Sequence, residues 1–213
     1  MLGWNDLSAA SIAPLADSQL QETADVLARA FCGNPLNRAV VQSDDPKRCF
    51  RSNRHSMQTL LPTARQYGQV LVAGLDGQVA GGLVASPPGR FPFPPPPLMG
   101  GLRCLIRQGW RVARRWDEVF GVFEALHPAE PHWYLATLGV VASARRRGIG
   151  AALLSHWLAG VDRDGVSAYL ETDSESNIRF YERAGFSLEG EILVLGVRTW
   201  CMKRAAAGRR RNN

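Results

Sequence analysis

An apolar run from Trp133 to Val141 is followed closely by Arg145-Arg146-Arg147-Gly148-Ile149-Gly150, and then by Ile149, Leu153, Trp157 and Gly160 at helical spacing. Gly165 ends that helix, and Val166 to Leu170 makes a second apolar run. Short runs rich in aromatic and branched residues predict strands buried on both faces. A strand, about fifteen helical residues and another strand form a βαβ crossover, so the two strands are expected to be parallel. A chain containing this unit belongs to the α/β class, a sheet flanked by helices.

The remaining segments are read around that unit. Ser18 opens a helix with Gln21 as capping-box partner. Leu20, Ala24, Leu27 and Phe31 continue it until Gly33-Asn34-Pro35 ends it. A second helix is expected from about Pro46 to Leu61. Val70 to Ala73, Asp76-Gly77 and Val79 to Ala85 predict a β-hairpin, because Asp-Gly suits a tight turn with positive φ. Ser86 to Pro97 carries too many prolines for a helix or an inner strand. It reads as a stiff connector, or as the rim of a substrate cleft. Leu98 to Leu126 predicts two helical pieces, with Arg103, Arg107, Arg111, Arg114 and Arg115 forming a basic solvated face. Asn177 to Ala184 is a short helix stopped by Gly185. Ser187 to Leu195 and Val197 to Met202 form a final antiparallel pair. The expectation is one domain over 1–204 and a basic tail over 205–213.

Bulk properties narrow the function. Cys32, Cys49, Cys104 and Cys201 contain no CxxC pair, and the four histidines contain no HExxH. Neither a zinc site nor a disulfide framework is expected, so reduced, cytoplasmic thiols are. The N-terminus lacks a basic start followed by an apolar run, and no stretch of about 18 apolar residues exists, so no leader and no membrane span are expected. The net charge of +6 suits a polyanionic partner: nucleic acid, an anionic surface or a phosphorylated cofactor. No helix-turn-helix, zinc finger or RNA-binding signature accompanies it, which disfavours nucleic acid.

The loop at Arg145 to Gly150 favours the phosphorylated cofactor. Its glycines let backbone approach a ligand closely. The helix start then offers unpaired N–H groups and the positive end of its dipole, which suits a pyrophosphate. The loop is neither a P-loop nor a dinucleotide fingerprint, since no Lys-Ser/Thr follows and the third glycine is missing.

Three pieces together, Leu138-Gly139-Val140, Arg145-x-x-Gly148-x-Gly150 and Asn177-x-x-Phe180-Tyr181-x-x-x-Gly185-Phe186, resemble the GNAT acetyltransferase pattern. Within the C-terminal half, HPAEPHWYLATLGV from His127, YLETDSESNIRFYERAGF from Tyr169 and RTWCM from Arg198 are similar to the puromycin N-acetyltransferase group. Arg145 and Arg146 stand where the family often carries Gln and Gly, and Arg179 where that group carries Pro.

The resemblance implies a GNAT fold: a mixed sheet of about six to seven strands whose parallel pair splays near Glu171. It implies acetyl-CoA as cofactor, with pantetheine held by Leu138, Gly139 and Val140. The pyrophosphate would lie on the N–H groups of Arg146, Arg147, Gly148, Ile149, Gly150 and Ala151, beside Arg145. It assigns Tyr181 as the acid that reprotonates the thiolate, or as a core aromatic. Asn177 would hold the pantetheine or cap its helix. Glu171 would serve as base, directly or through water, or as a structural group. His132 is a weaker candidate base, and it and the aromatics Trp133 and Tyr134 are candidates for the acceptor pocket. Gly139 would admit the cofactor or serve packing. Cys201, with no histidine placed to activate it, reads as a buried hydrophobe, so direct transfer in a ternary complex is expected. The expected partner is a small-molecule amine. A protein or peptide amine, and a basic binding protein that keeps the fold without catalysis, are the alternatives. A monomer and a homodimer both fit this pattern.

Overall fold

The computed structural model describes residues 10–95 and 98–208. The N-terminal residues, Pro96, Pro97 and the arginines of the basic tail lie outside them, while 205–208 are exposed and irregular.

Among the described residues, seven strands form one sheet: β1 (Ser11–Pro14), β2 (Gln69–Leu75), β3 (Gln78–Ser86), β4 (His132–Val140), β5 (Ser167–Thr172), β6 (Ser187–Val194) and β7 (Val197–Arg204). Their order is β1-β2-β3-β4-β5-β7-β6. Every pairing is antiparallel except that of β4 with β5. The crossover between those two is α6 (Ile149–Asp164), ended by Gly165 at φ 67°. The expected parallel pair is therefore present. Burial along β4 is mixed rather than complete on both faces, because its far half borders an open cleft.

Helices cover both faces. Leu153, Leu154, Trp157 and Val161 of α6 pack on one face of the sheet with Tyr181 of α7 (Glu175–Glu182). The other face carries α1 (Leu20–Phe31) and α3 (Pro46–Tyr67), with Ala24, Leu27, Leu61 and Ala64 buried on Val70, Val72 and Val84. Burying such side chains contributes about 1.5–3 kcal/mol each before ordering costs.

Local chemistry sets the boundaries. The hairpin β2–β3 turns at Asp76 and Gly77, both at positive φ, as Asp-Gly predicts. The first helical turn begins earlier than Ser18: a 3-10 turn spans Asp17–Gln19, and Gln19 Oε1 accepts from the Ala16 N–H at 3.3 Å. Gln21 is not a capping partner; it accepts from Gln58 on α3. The helix expected to end near Leu61 runs through Pro62 to Tyr67, held down by Leu61 and Ala64. Two elements carried no signal: β1, and α2 (Pro35–Val41), whose Pro35 opens the helix rather than merely stopping the previous one. Leu98 to Leu126 divides as expected into α4 (Leu98–Gln108) and α5 (Trp110–Leu126), with Gly109 at φ 87° between them. Arg103, Arg107, Arg111 and Arg114 are exposed, whereas Arg115 donates to the Val40 carbonyl at the end of α2.

Candidate active site

The sheet opens along β4. Pairing with β5 covers only His132↔Ser167, Trp133↔Ala168 and Tyr134↔Tyr169. Beyond Tyr134 the two strands diverge. On the other side of β4, Val84 faces Thr137 while Ala85 faces Leu135, so Ala136 is an extra residue in the ladder. Such a bulge bends and twists the strand that carries it. It sits where the parallel pairing stops and directs Leu138 to Val140 away from β5.

A cleft of about 350 Å³ fills the gap. Leu138, Gly139, Val140, Arg145, Asn177, Glu171 and Tyr181 all line it, as do Asn34, Thr172 and Asp173. Gly139 lies close under α1: a Cβ there would stand 2.9 Å from Leu27 Cδ2 and 3.0 Å from Ala30 Cβ. Its missing side chain thus seats α1 against β4. Arg145 ties the same two elements together, donating to the Val140 carbonyl at 3.3 Å and the Ala30 carbonyl at 3.2 Å.

The basic loop leads into α6 as the sequence requires. Arg146 and Gly148 have positive φ, 60° and 79°, and Arg145, Arg146, Arg147 and Gly148 are all exposed. The first backbone bond of the helix is Ala152 N–H to the Gly148 carbonyl. The N–H groups of Ile149, Gly150 and Ala151 precede that ladder, and no side chain among the described residues caps this end. The result is an accessible helix start with N–H groups outside the helical ladder, flanked by arginines.

On the opposite side of the cleft, α7 contributes Tyr181 and Asn177. The Tyr181 ring packs against Phe180 and Phe186, and its hydroxyl has no hydrogen bond among the described residues. Burial, together with the charge of Asp173, holds its pKa above the ordinary tyrosine value. Asn177 does not cap its helix; its amide donates to Thr172 Oγ1 at 3.2 Å. Asp173 carried no expectation. Its carboxylate accepts from Asn34 Nδ2 at 3.2 Å and the Leu36 N–H at 2.8 Å, fastening the start of α2 to the end of β5.

Glu171 occupies the point where the strands part. Its side chain shares the strand face of Tyr169, opposite α6, and only 2% of it is exposed. Neither carboxylate oxygen has a well-formed hydrogen bond among the described residues. Burial pushes its pKa up to about 8, an effect partly offset by the Tyr134 and Tyr169 hydroxyls beside it.

The three acceptor-pocket candidates separate. Trp133 faces away from the cleft, donating to Asp164 Oδ2 at 2.7 Å and meeting Trp157 edge to face. His132 and Tyr134 instead line a second cavity of about 400 Å³, bordered by Pro87, Phe91 and the turn from His127 to Pro131. His127 was missed as a site residue, yet its Nε2 lies 3.9 Å from Glu171 Oε1. Its signal was modest: a second histidine five residues before His132, across a Pro-containing turn.

Known proteins share these features. The profile of the acetyltransferase (GNAT) family matches residues 38–186, more than half of the chain. The crystal structure of histone acetyltransferase HPA2 and related acetyltransferase from Corynebacterium glutamicum superposes with a TM-score of 0.72 at 25% identity, over 93% of this chain and 97% of that one. Aminoglycoside 6'-acetyltransferase type Ii shares the fold at a TM-score of 0.55 and 16% identity, over 93% and 99%. N-alpha-acetyltransferase 50 of Danio rerio is 37% identical over 59 residues, 26% of this chain, so the chain spans 35% of that curated relative. No helix among the described residues is long and apolar enough to cross a membrane. A sheet opened by a bulge, an uncapped helix start beside the opening and the profile match lead to one assignment: the chain belongs to the GNAT family of acetyltransferases.

Proposed function

We propose that this protein acetylates a primary amine of a small molecule, with acetyl-CoA as donor and with direct attack in a ternary complex. The observation that carries the reading is Glu171: a buried carboxyl with a raised pKa, at the edge of the cleft where β4 and β5 part. Acetyl-CoA, when bound, supplies an activated thioester.

The chain's own groups fit that donor. The N–H groups of Ile149, Gly150 and Ala151, with the neighbouring arginines, would hold the diphosphate. The unpaired stretch of β4 from Leu138 to Val140 would hold the pantetheine, with Asn177 opposite. An amine near pKa 10 must lose a proton before it attacks. Ionised Glu171 would accept that proton, and its raised pKa places it close to the working range of a general base. The Tyr181 hydroxyl, reachable from the cleft, would return a proton to the departing sulfur.

A small acceptor is favoured by the resemblance of the C-terminal half, from His127 onward, to the puromycin group. Acetyl-CoA should raise the melting temperature, by roughly 3 kcal/mol of added stability at a hundredfold excess over Kd. A panel of small amines, puromycin among them, and of basic peptides should then be screened for CoA release. Turnover confined to the peptides would replace the small-molecule reading. No thermal shift at millimolar acetyl-CoA would count against the donor itself.

A further inference from the structure

The second cavity and Glu171 are joined by two imidazoles. His132 Nδ1 lies 2.8 Å from the Glu130 carbonyl oxygen, and His132 Nε2 lies 3.0 Å from His127 Nδ1. A carbonyl only accepts, so His132 carries its proton on Nδ1. When His132 is neutral its Nε2 must accept, so His127 carries its proton on Nδ1. His127 Nε2 is then a bare lone pair. It is buried, has no partner among the described residues, and points to Glu171 Oε1 at 3.9 Å. One backbone carbonyl thus fixes the tautomers of two imidazoles in series.

The surroundings keep the imidazoles in place. Phe91 of the Pro-rich segment stacks on His127, with centroids 4.1 Å apart and planes at 9°. Tyr134 and Tyr169 meet His127 edge to face. The titratable groups facing Glu171 and His127 are Tyr134, Tyr169, Cys201 and His132, none of them cationic when neutral imidazole is present. Glu130, at the outer end, is paired with Lys203.

We propose that His127 and His132 form a proton exit from Glu171 to the second cavity, separate from the cleft in which the acetyl group is transferred. This rests on Glu171 being the base. The protonated Glu171 carboxyl gives its proton to His127 Nε2 while the His127 Nδ1 proton passes to His132 Nε2. His132, now imidazolium, releases its Nδ1 proton to water in the second cavity; both rings then hold reversed tautomers, and rotation of each ring towards that water, where it loses its Nε2 proton and gains one on Nδ1, restores the starting state. The net change is one proton moved from Glu171 to solvent. Closing 3.9 Å to hydrogen-bond distance requires a shift of roughly 1 Å. Burial pushes the His127 pKa down to about 4, with His132 adding to it, so His127 passes protons without holding a charge. His127 and His132 are positioning residues in this scheme, since neither touches the reacting atoms.

The test follows the Glu171 carboxyl band by infrared spectroscopy after a jump from pH 7 to pH 9.5, values chosen about the raised pKa of about 8. Glu171→Gln assigns the band. Deprotonation should slow at least about tenfold in His127→Phe, which keeps a ring on Phe91, and in His132→Gln. Free imidazole should restore the rate in His127→Ala, because the cavity beside it is open. Wild-type rates in folded His127→Phe or His132→Gln would overturn the proton exit. Half-exposed His132 makes His132→Gln decisive if the buried variant does not fold. The base reading fails differently: Glu171→Gln would then turn over the best amine of the panel at the wild-type rate, whatever the infrared result.

Discussion

The two ends of the β4–β5 pair use the same strands to opposite purpose. At the near end, His132 to Tyr134 are hydrogen-bonded to Ser167 to Tyr169, and the side chains between them close into an aromatic layer of Tyr134, Tyr169, Phe91 and His127. At the far end the ladder is broken and the open backbone borders a polar cleft. Buried backbone groups need partners. Where two strands satisfy each other there is nothing left for a ligand, and where a bulge parts them a ligand can take the partner's place. Glu171 stands at the boundary, lining the open cleft while its buried carboxyl borders the aromatic layer.

The strongest way to break this contrast is at the boundary. Glu171→Gln keeps the volume and removes the ionisable group, so kcat should fall by about 10²–10⁴ while acetyl-CoA affinity is kept. Steady-state kinetics paired with calorimetric titration of acetyl-CoA would show whether the two separate. On the open side, Ala151→Glu puts a carboxylate at the third residue of α6, where it favours the helix dipole but opposes a diphosphate. The free protein should melt no lower than wild type, and acetyl-CoA should bind about tenfold or more weakly. Undiminished affinity would place the phosphates elsewhere.

On the closed side, pH is the probe. Glu171 and His127 are both neutral in the folded protein near neutrality, and their shifts act on stability with opposite sign. The folded pKa of Glu171, about 8, exceeds its unfolded value, so its contribution falls as pH rises towards 8. The folded pKa of His127, about 4, lies below its unfolded value, so its contribution grows as pH rises towards about 6.5. The two oppose each other below that point. Between pH 6.5 and 8 the Glu171 effect acts alone, and unfolding free energy should drop by on the order of 2 kcal/mol. Denaturant titrations of wild type and Glu171→Gln across that window would test this, since the variant should lose the slope. The smallest effect is expected of Tyr181→Phe. A thiol of pKa about 8.5 leaves readily, so kcat should fall by only about tenfold. Full activity would return Tyr181 to a purely structural role.

From one residue after another, the sequence determined the parallel crossover, its basic glycine loop, the Asp-Gly hairpin and the division of Leu98 to Leu126 into two helices. These rest on short-range physics: side-chain periodicity, turn geometry and the orphan N–H groups of a helix start, all set by neighbours in the chain. The resemblance carried by Leu138 to Val140 and Asn177 to Phe186 brought in the cleft and its candidates. The tertiary structure decided what depends on distant segments meeting. It turned Trp133 towards α6 and Tyr134 towards Phe91, though the two are adjacent in sequence, because successive strand residues point to opposite faces. It set Gly139 against α1, fastened α2 to β5 through Asp173, and brought His127 to Glu171 across 44 positions of chain. Those contacts arise from packing across the sheet, and local pattern carries no record of which partner will arrive.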